Sequence, residues 1–201
     1  PLQSCESWIR PNFNKNDYKR LSLKINSMLF DIDEFIYQTS NSIGVRLEDI
    51  IRDPKKTIPA LCKWMNIKED PTLYEMTAQG KKWWGDPSSP DYSIDGMKPF
   101  GKTSINRENG YIFSGKDQFI LSTLFYPFSV RFGYIKEDLD QFKVDLKAIR
   151  PLLGEMFDFE KSIAELSGVC SDNFVKSGSY IYLRSRLIER WNTLNEFHTY
   201  P

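Results

Sequence analysis

Residues 44–67 read G-V-R-L-E-D-I-I-R-D-P-K-K-T-I-P-A-L-C-K-W-M-N-I, and how this stretch is read decides the fold. The run I-G-V-R-L at 43–47 is short, apolar and partly β-branched, which predicts one buried strand over Ile43–Leu47. Glu48 and Asp49 follow it as acids suited to a helix N-terminus. Asp53 then offers a cap, and Pro54 fills the first helical position, where its missing N–H costs nothing. Ile58, Leu61, Trp64 and Met65 give this helix an apolar face, with Pro59 predicting a kink or a tight first turn. This is the one strand evident in the sequence, so the chain reads as mainly α.

Upstream, Tyr18, Leu21, Ile25, Met28, Ile32 and Phe35 fall at steps of three and four, which predicts a long helix from Asn16 to about Thr39. Downstream, Asp70-Pro71 repeats the cap signal for a short helix, T-L-Y-E-M-T-A-Q, stopped by Gly80. Gly80 to Gly110 is rich in proline, glycine and aromatics and lacks a period, the texture of a long ordered loop. The adjacent Trp83 and Trp84 argue against disorder there. Ser114-x-x-Asp117 is a capping pattern ahead of Phe119, Leu121, Leu124 and Phe125, and Pro127 perturbs the helix that follows. Beyond residue 136 only helices are expected: a stripe at Leu139, Phe142, Leu146, Ile149 and Leu153, a short helix at Ile163 and Leu166, and a last one over Tyr180–Phe197. That change of texture divides the chain into 1–136 and a helical extension, 137–201.

Twenty-seven basic residues balance twenty-seven acidic ones, so no global field recruits nucleic acid or an anionic membrane. No apolar run approaches the ~18 residues of a membrane span. The three cysteines, Cys5, Cys62 and Cys170, form no C-x-x-C and predict reduced thiols in a cytoplasmic protein. The single histidine, His198, lies four residues from the end and is expected to be solvated. Metal and triad chemistry have no residues to build on.

Taken residue by residue, 44–67 resembles the PAPS-dependent sulfotransferase family, in which a strand leads through Arg-Tyr-Glu-Asp-Leu and Asp-Pro into a helix. Arg46, Glu48, Asp49, Ile50, Asp53, Pro54, Leu61, Trp64 and Met65 fall at the matching places. The run Thr77-x-x-Gly80-x-x-Trp83-x-Gly85 and the closing Phe132-Gly133-Tyr134 are similar to bacterial members. The resemblance covers about 1–136. It implies the C-terminal portion of an α/β P-loop-type sulfotransferase fold, and transfer of a sulfuryl group from 3′-phosphoadenosine-5′-phosphosulfate (PAPS) to a hydroxyl or amine of a small-molecule or saccharide acceptor. Such chemistry needs a phosphate-cradling loop and a base, in this family usually histidine. The sequence holds no glycine-rich phosphate loop and no histidine before residue 198. The expectation is therefore a fragment whose intact parent binds PAPS, and which binds no cofactor and turns over nothing by itself.

The resemblance also implies which nucleotide contacts remain. If Pro1 belongs to an Arg-x-Pro turn, Ser7 takes the place of the serine that grips the 3′-phosphate, on the first turns of a helix; as a plain surface serine it would sit beside Cys5 and Trp8. Leu47 stands where many members carry a tyrosine that touches adenine, and it lacks the hydroxyl and π face. Thr77 matches a threonine that approaches the nucleotide, or it caps a helix end. Arg107 in N-R-E-N-G stands for the basic loop that closes on the 3′-phosphate, though the usual Arg-Lys-Gly order is absent. Trp83 and Trp84 line an acceptor pocket or pin their loop. No catalytic residue is expected within the chain. The alternative is a non-catalytic helical interaction module with sulfotransferase-like topology. Under either, a lone strand leaves open edges, which predicts a homo-oligomer, a rearrangement, or cover from the C-terminal helices.

Overall fold

The computed structural model describes residues 1–30, 41–75, 77–79, 81–82, 100–101, 105 and 110–196. Along the chain these form α1 (Leu2–Phe13), α2 (Tyr18–Phe30), α3 (Leu47–Arg52), α4 (Pro54–Met65), a 3₁₀ turn (Pro71–Tyr74), β1 (Thr77–Ala78) and β2 (Lys81–Lys82). There follow α5 (Gly115–Leu124), α6 (Tyr126–Arg131), α7 (Leu139–Ile149), a second 3₁₀ turn (Pro151–Gly154), α8 (Asp158–Leu166), α9 (Ser171–Phe174) and α10 (Gly178–Glu196). Two units result, one made of residues 1–42 and 108–201, the other of residues 43–107. The boundary expected near residue 136 falls inside the first unit.

In the first unit the predicted stripes face inward. Tyr18, Leu21 and Ile25 of α2 are buried, as are Phe142, Leu146 and Ile149 of α7 and Leu183, Leu187 and Leu194 of α10. Met28 packs against the core from its edge, while Ile32 and Phe35 lie outside the described residues. Leu139 and Leu166, placed on apolar stripes by their spacing, are instead 38% and 66% exposed, each at the end of its helix. Tyr126 stacks on Phe142 with centroids 4.3 Å apart, and its hydroxyl accepts from the Asp138 N–H, fixing the entry to α7.

Two buried carboxylates order these helices. Asp117 and Ser114 form the expected capping box at α5. Asp117 also accepts from the N–H groups of Asp158 (2.9 Å) and Phe159 (3.2 Å), so one fully buried side chain caps α5 and α8 together. Ser114 Oγ completes the junction by donating to Asp158 Oδ2 at 2.7 Å. Glu160, also without exposure, receives the Tyr18 hydroxyl from α2 and Arg184 Nη2 from α10 (2.6 Å), while its other oxygen accepts from Phe157 N–H. Arg184 donates further to the carbonyls of Leu153 and Glu155 and lies over the rings of Phe157 and Tyr180.

The second unit departs from expectation. Residues 42–46 carry no strand: they are irregular, and Leu47 opens α3. Ile43, Val45 and Leu47 are 49%, 37% and 53% exposed. A β conformation is held by a neighbouring ladder, and an apolar run with none to pair with stays irregular however high its propensity. Pro54 does open α4, though Asp53 before it makes no side-chain capping hydrogen bond, and Thr57 Oγ1 donates to the Asp49 carbonyl (3.0 Å), tying α4 back to α3. Asn66, at φ +55, closes α4 in the left-handed conformation. The predicted helix after Asp70 is a single 3₁₀ turn, because Asp70 accepts from both the N–H and the hydroxyl of Thr72 and closes a local turn instead. Thr77 then pairs with Lys82 and Ala78 with Lys81 in a minimal antiparallel hairpin, with Gln79 at φ +53 at its turn. Most of the expected loop from Gly80 to Gly110, with Trp83 and Trp84, lies outside the described residues.

Removing Asp117 uncaps two helices at once, each cap being worth about 1 kcal/mol. Asp117→Ala is expected to lower unfolding free energy by roughly 2–3 kcal/mol in urea titrations; a loss no larger than that of a surface Asp→Ala control contradicts the double-cap role.

Burial pushes the Cys5 thiol from 9.0 up to about 12, and burial with the adjacent Glu160 pushes the Tyr18 hydroxyl up as well. Above pH 9.0 the unfolded chain releases the Cys5 proton while the folded one keeps it, so stability falls as pH rises from there toward about 12. The expected slope from Cys5 is about 1 kcal/mol per pH unit in that window. Denaturation curves collected across it are expected to flatten in Cys5→Ala, and an unchanged slope refutes the assignment.

Candidate functional site

The expected phosphate contact begins with α1. Cys5 and Ile9 point into the core, which turns Ser7 and Arg10 toward the half-buried flank. The helix starts at Leu2, so Ser7 lies in its second turn, past the N–H groups that a helix start leaves unpaired. An anion at Ser7 therefore meets its hydroxyl and not the helix amides. Pro11 lies inside α1 and has no N–H to give the Ser7 carbonyl four residues back, so the ladder is interrupted at this residue.

Beside Ser7, Glu6 is 2% exposed, an unusual place for a carboxylate. Its Oε1 accepts from the N–H groups of Ile112 and Phe113 (3.1 Å for the latter), and Oε2 accepts from Gly110 N–H at 3.1 Å. Three amides thus converge on one side chain, and α1 holds the segment that leads into α5. Gly110 has φ +103, a backbone conformation that suits glycine. Arg10, one turn after Glu6, lies 4.3 Å from the centroid of the exposed Tyr111 ring.

The other predicted residues belong elsewhere. Leu47 and Thr77 are in the second unit, Leu47 as the first residue of α3 and Thr77 as the first of β1, both exposed. Thr77 is therefore a strand residue, not a helix-end hydroxyl. Arg107 and His198 lie outside the described residues. Arg46 and Asp49, which carry much of the family likeness, form a fork at the head of α3: Arg46 Nε and Nη2 donate to the two Asp49 oxygens at 2.7 and 2.6 Å. That fork holds the Asp49 carboxyl below the usual carboxylate range.

Among the described residues no group of three or more His, Cys, Asp or Glu side chains is placed to hold a metal ion, and no helix is long and apolar enough to cross a membrane. In comparisons with known proteins, no family model, curated protein or solved structure matches this chain.

For PAPS, the donor set fits only in part. In the first unit Ser7 has a hydroxyl on α1, and in the second Leu47 is an exposed apolar side chain, while the sequence has no glycine-rich phosphate loop and no histidine base ahead of residue 198.

Sequence reasoning missed Glu6 and Arg10. The one signal for them was a Glu-x-x-x-Arg spacing on α1, which ordinarily predicts a surface ion pair. Glu6→Gln replaces one acceptor oxygen by a donor and sets it against backbone N–H groups. We expect roughly 1–3 kcal/mol of destabilisation and faster hydrogen exchange at the amides of Gly110, Ile112 and Phe113. Unchanged exchange at all three contradicts the clamp.

Proposed function

We propose that this chain is the C-terminal portion of a PAPS-dependent sulfotransferase, and that its parent moves a sulfuryl group to a hydroxyl or amine of a small-molecule or saccharide acceptor. The observation that carries the proposal is the junction at 43–57. An exposed apolar run, Ile43, Val45 and Leu47, leads directly into the Arg46–Asp49 fork and the Pro54 helix start, in the order the family uses. Such a run suits a strand whose ladder partners and covering layer come from the N-terminal half of a P-loop-type domain. Ser7 is the phosphate-gripping hydroxyl in this proposal, with Arg107 as a further basic contact and Leu47 and Thr77 on the nucleotide's side. The three free cysteines support a reducing, cytoplasmic setting. No nucleic acid or membrane partner is invoked.

The test is made on the complete gene product. PAPS turnover with phenol, amine and saccharide acceptors is expected, with Ser7→Ala lowering affinity for adenosine 3′,5′-bisphosphate by roughly tenfold. A complete product that lacks a phosphate loop and binds no bisphosphate overturns the proposal. The 201-residue chain by itself is expected to show negligible PAPS affinity by calorimetry and to self-associate in sedimentation velocity through the exposed 43–47 run. Micromolar PAPS binding by this chain refutes the assignment of the main site to other residues, and a strict monomer refutes the exposed run as an interface.

A further inference from the structure

Arg20, Arg46, Arg184 and Arg186 all face carboxylates within ion-pair range. Arg10 does not. The carboxylate that helical spacing would offer it, Glu6, has both oxygens taken by the N–H groups of Gly110, Ile112 and Phe113. Among the described residues Arg10 lies against the ring of Tyr111, 4.3 Å from its centroid, and its Nε is buried with no hydrogen-bond partner. The side chain is half-buried, so Nε lies inside while the Nη edge stays at the surface. A guanidinium in that state has already lost water on one side, which strengthens its attraction for an anion on the other.

The platform is built as well. Glu6 holds the amides of Gly110 and Ile112, the two chain neighbours of Tyr111, so the backbone that carries the ring beside Arg10 is held on both sides by a buried side chain of Arg10's own helix. Ser7 precedes Arg10 by three residues and lies on the same flank of α1. The geometry points to a phosphate-monoester site at Arg10. The Nη edge supplies a two-pronged donor and the Tyr111 ring lies beside the guanidinium, with Ser7 on the same flank of α1. Glu6 is a positioning residue, its charge met by amide dipoles so that the charge of Arg10 remains for an outside anion. The site stands on the geometry of Arg10; its identification with the nucleotide's 3′-phosphate rests on the sulfotransferase reading.

The experiment follows the Arg10 Nε–H cross-peak in ¹H–¹⁵N spectra of the full 201-residue chain during titration with inorganic phosphate at constant ionic strength. A saturable shift is expected, shared by the Tyr111 and Ser7 amides. Arg10→Lys keeps the charge and loses the fork, and is expected to weaken binding by about tenfold, read from the Tyr111 amide. Tyr111→Ala leaves Arg10 in place and is expected to weaken it by about threefold. No saturable shift, or one that survives both substitutions unchanged, overturns the site. Displacement of phosphate by adenosine 3′,5′-bisphosphate supports the nucleotide source. On the sulfotransferase reading the isolated chain lacks the rest of the nucleotide site, so competition is expected only at bisphosphate concentrations similar to those of phosphate itself. The Arg10 site fails if phosphate gives no saturable shift. The sulfotransferase reading fails separately, on the complete gene product, if that product has no phosphate loop and binds no bisphosphate.

Discussion

Three elements of the first unit meet on one carboxylate that has no exposure to water. Glu160, at the start of α8, takes the Tyr18 hydroxyl from α2 and the Arg184 guanidinium from α10. A buried charge without partners costs several kcal/mol, so these elements are stable only in the arrangement that brings all of them together. Sliding α10 by one turn would leave both Glu160 and Arg184 unmatched inside the core. Apolar stripes say that the helices pack; the Glu160 network says in which register. The Asp117 junction repeats the device at smaller scale, fixing the heads of α5 and α8 against one another.

The helices were largely legible because their signals are local. The Ser114–Asp117 box, Pro54 at α4, and the stripes of α2, α7 and α10 lie within a few residues of the structure they produce. The second role of Asp117 spans 41 residues, the Tyr18–Glu160 bond 142, and the Glu6–Ile112 bond 106, and no local pattern reports them. The predicted strand at 43–47 failed for a related reason. Apolar, β-branched sequence states that a segment can pair, but a strand exists only where another backbone supplies the ladder. After Asp70, the competitor was local: one side chain accepting twice from Thr72 closed a turn where helix was expected.

The residues that carry the family likeness do structural work in this chain. Arg46 and Asp49 close a fork on each other, the Asp49 carbonyl receives Thr57, and Pro54 starts a helix. The residues with chemical prospects, Ser7 and Arg10, lie in the other unit, on a helix that the likeness reaches only through one serine.

The first unit is assembled from two stretches of chain, residues 1–42 and 108–201, with the second unit between them. Its long-range bonds, Tyr18 to Glu160 and Arg186 to Asn26, join residues 142 and 160 positions apart, so its core closes only when both stretches are present. Contacts of that separation are slow to form, and until they do Leu21 and Ile25 lack the α10 side of their core, which is where chaperone capture or aggregation has its opportunity.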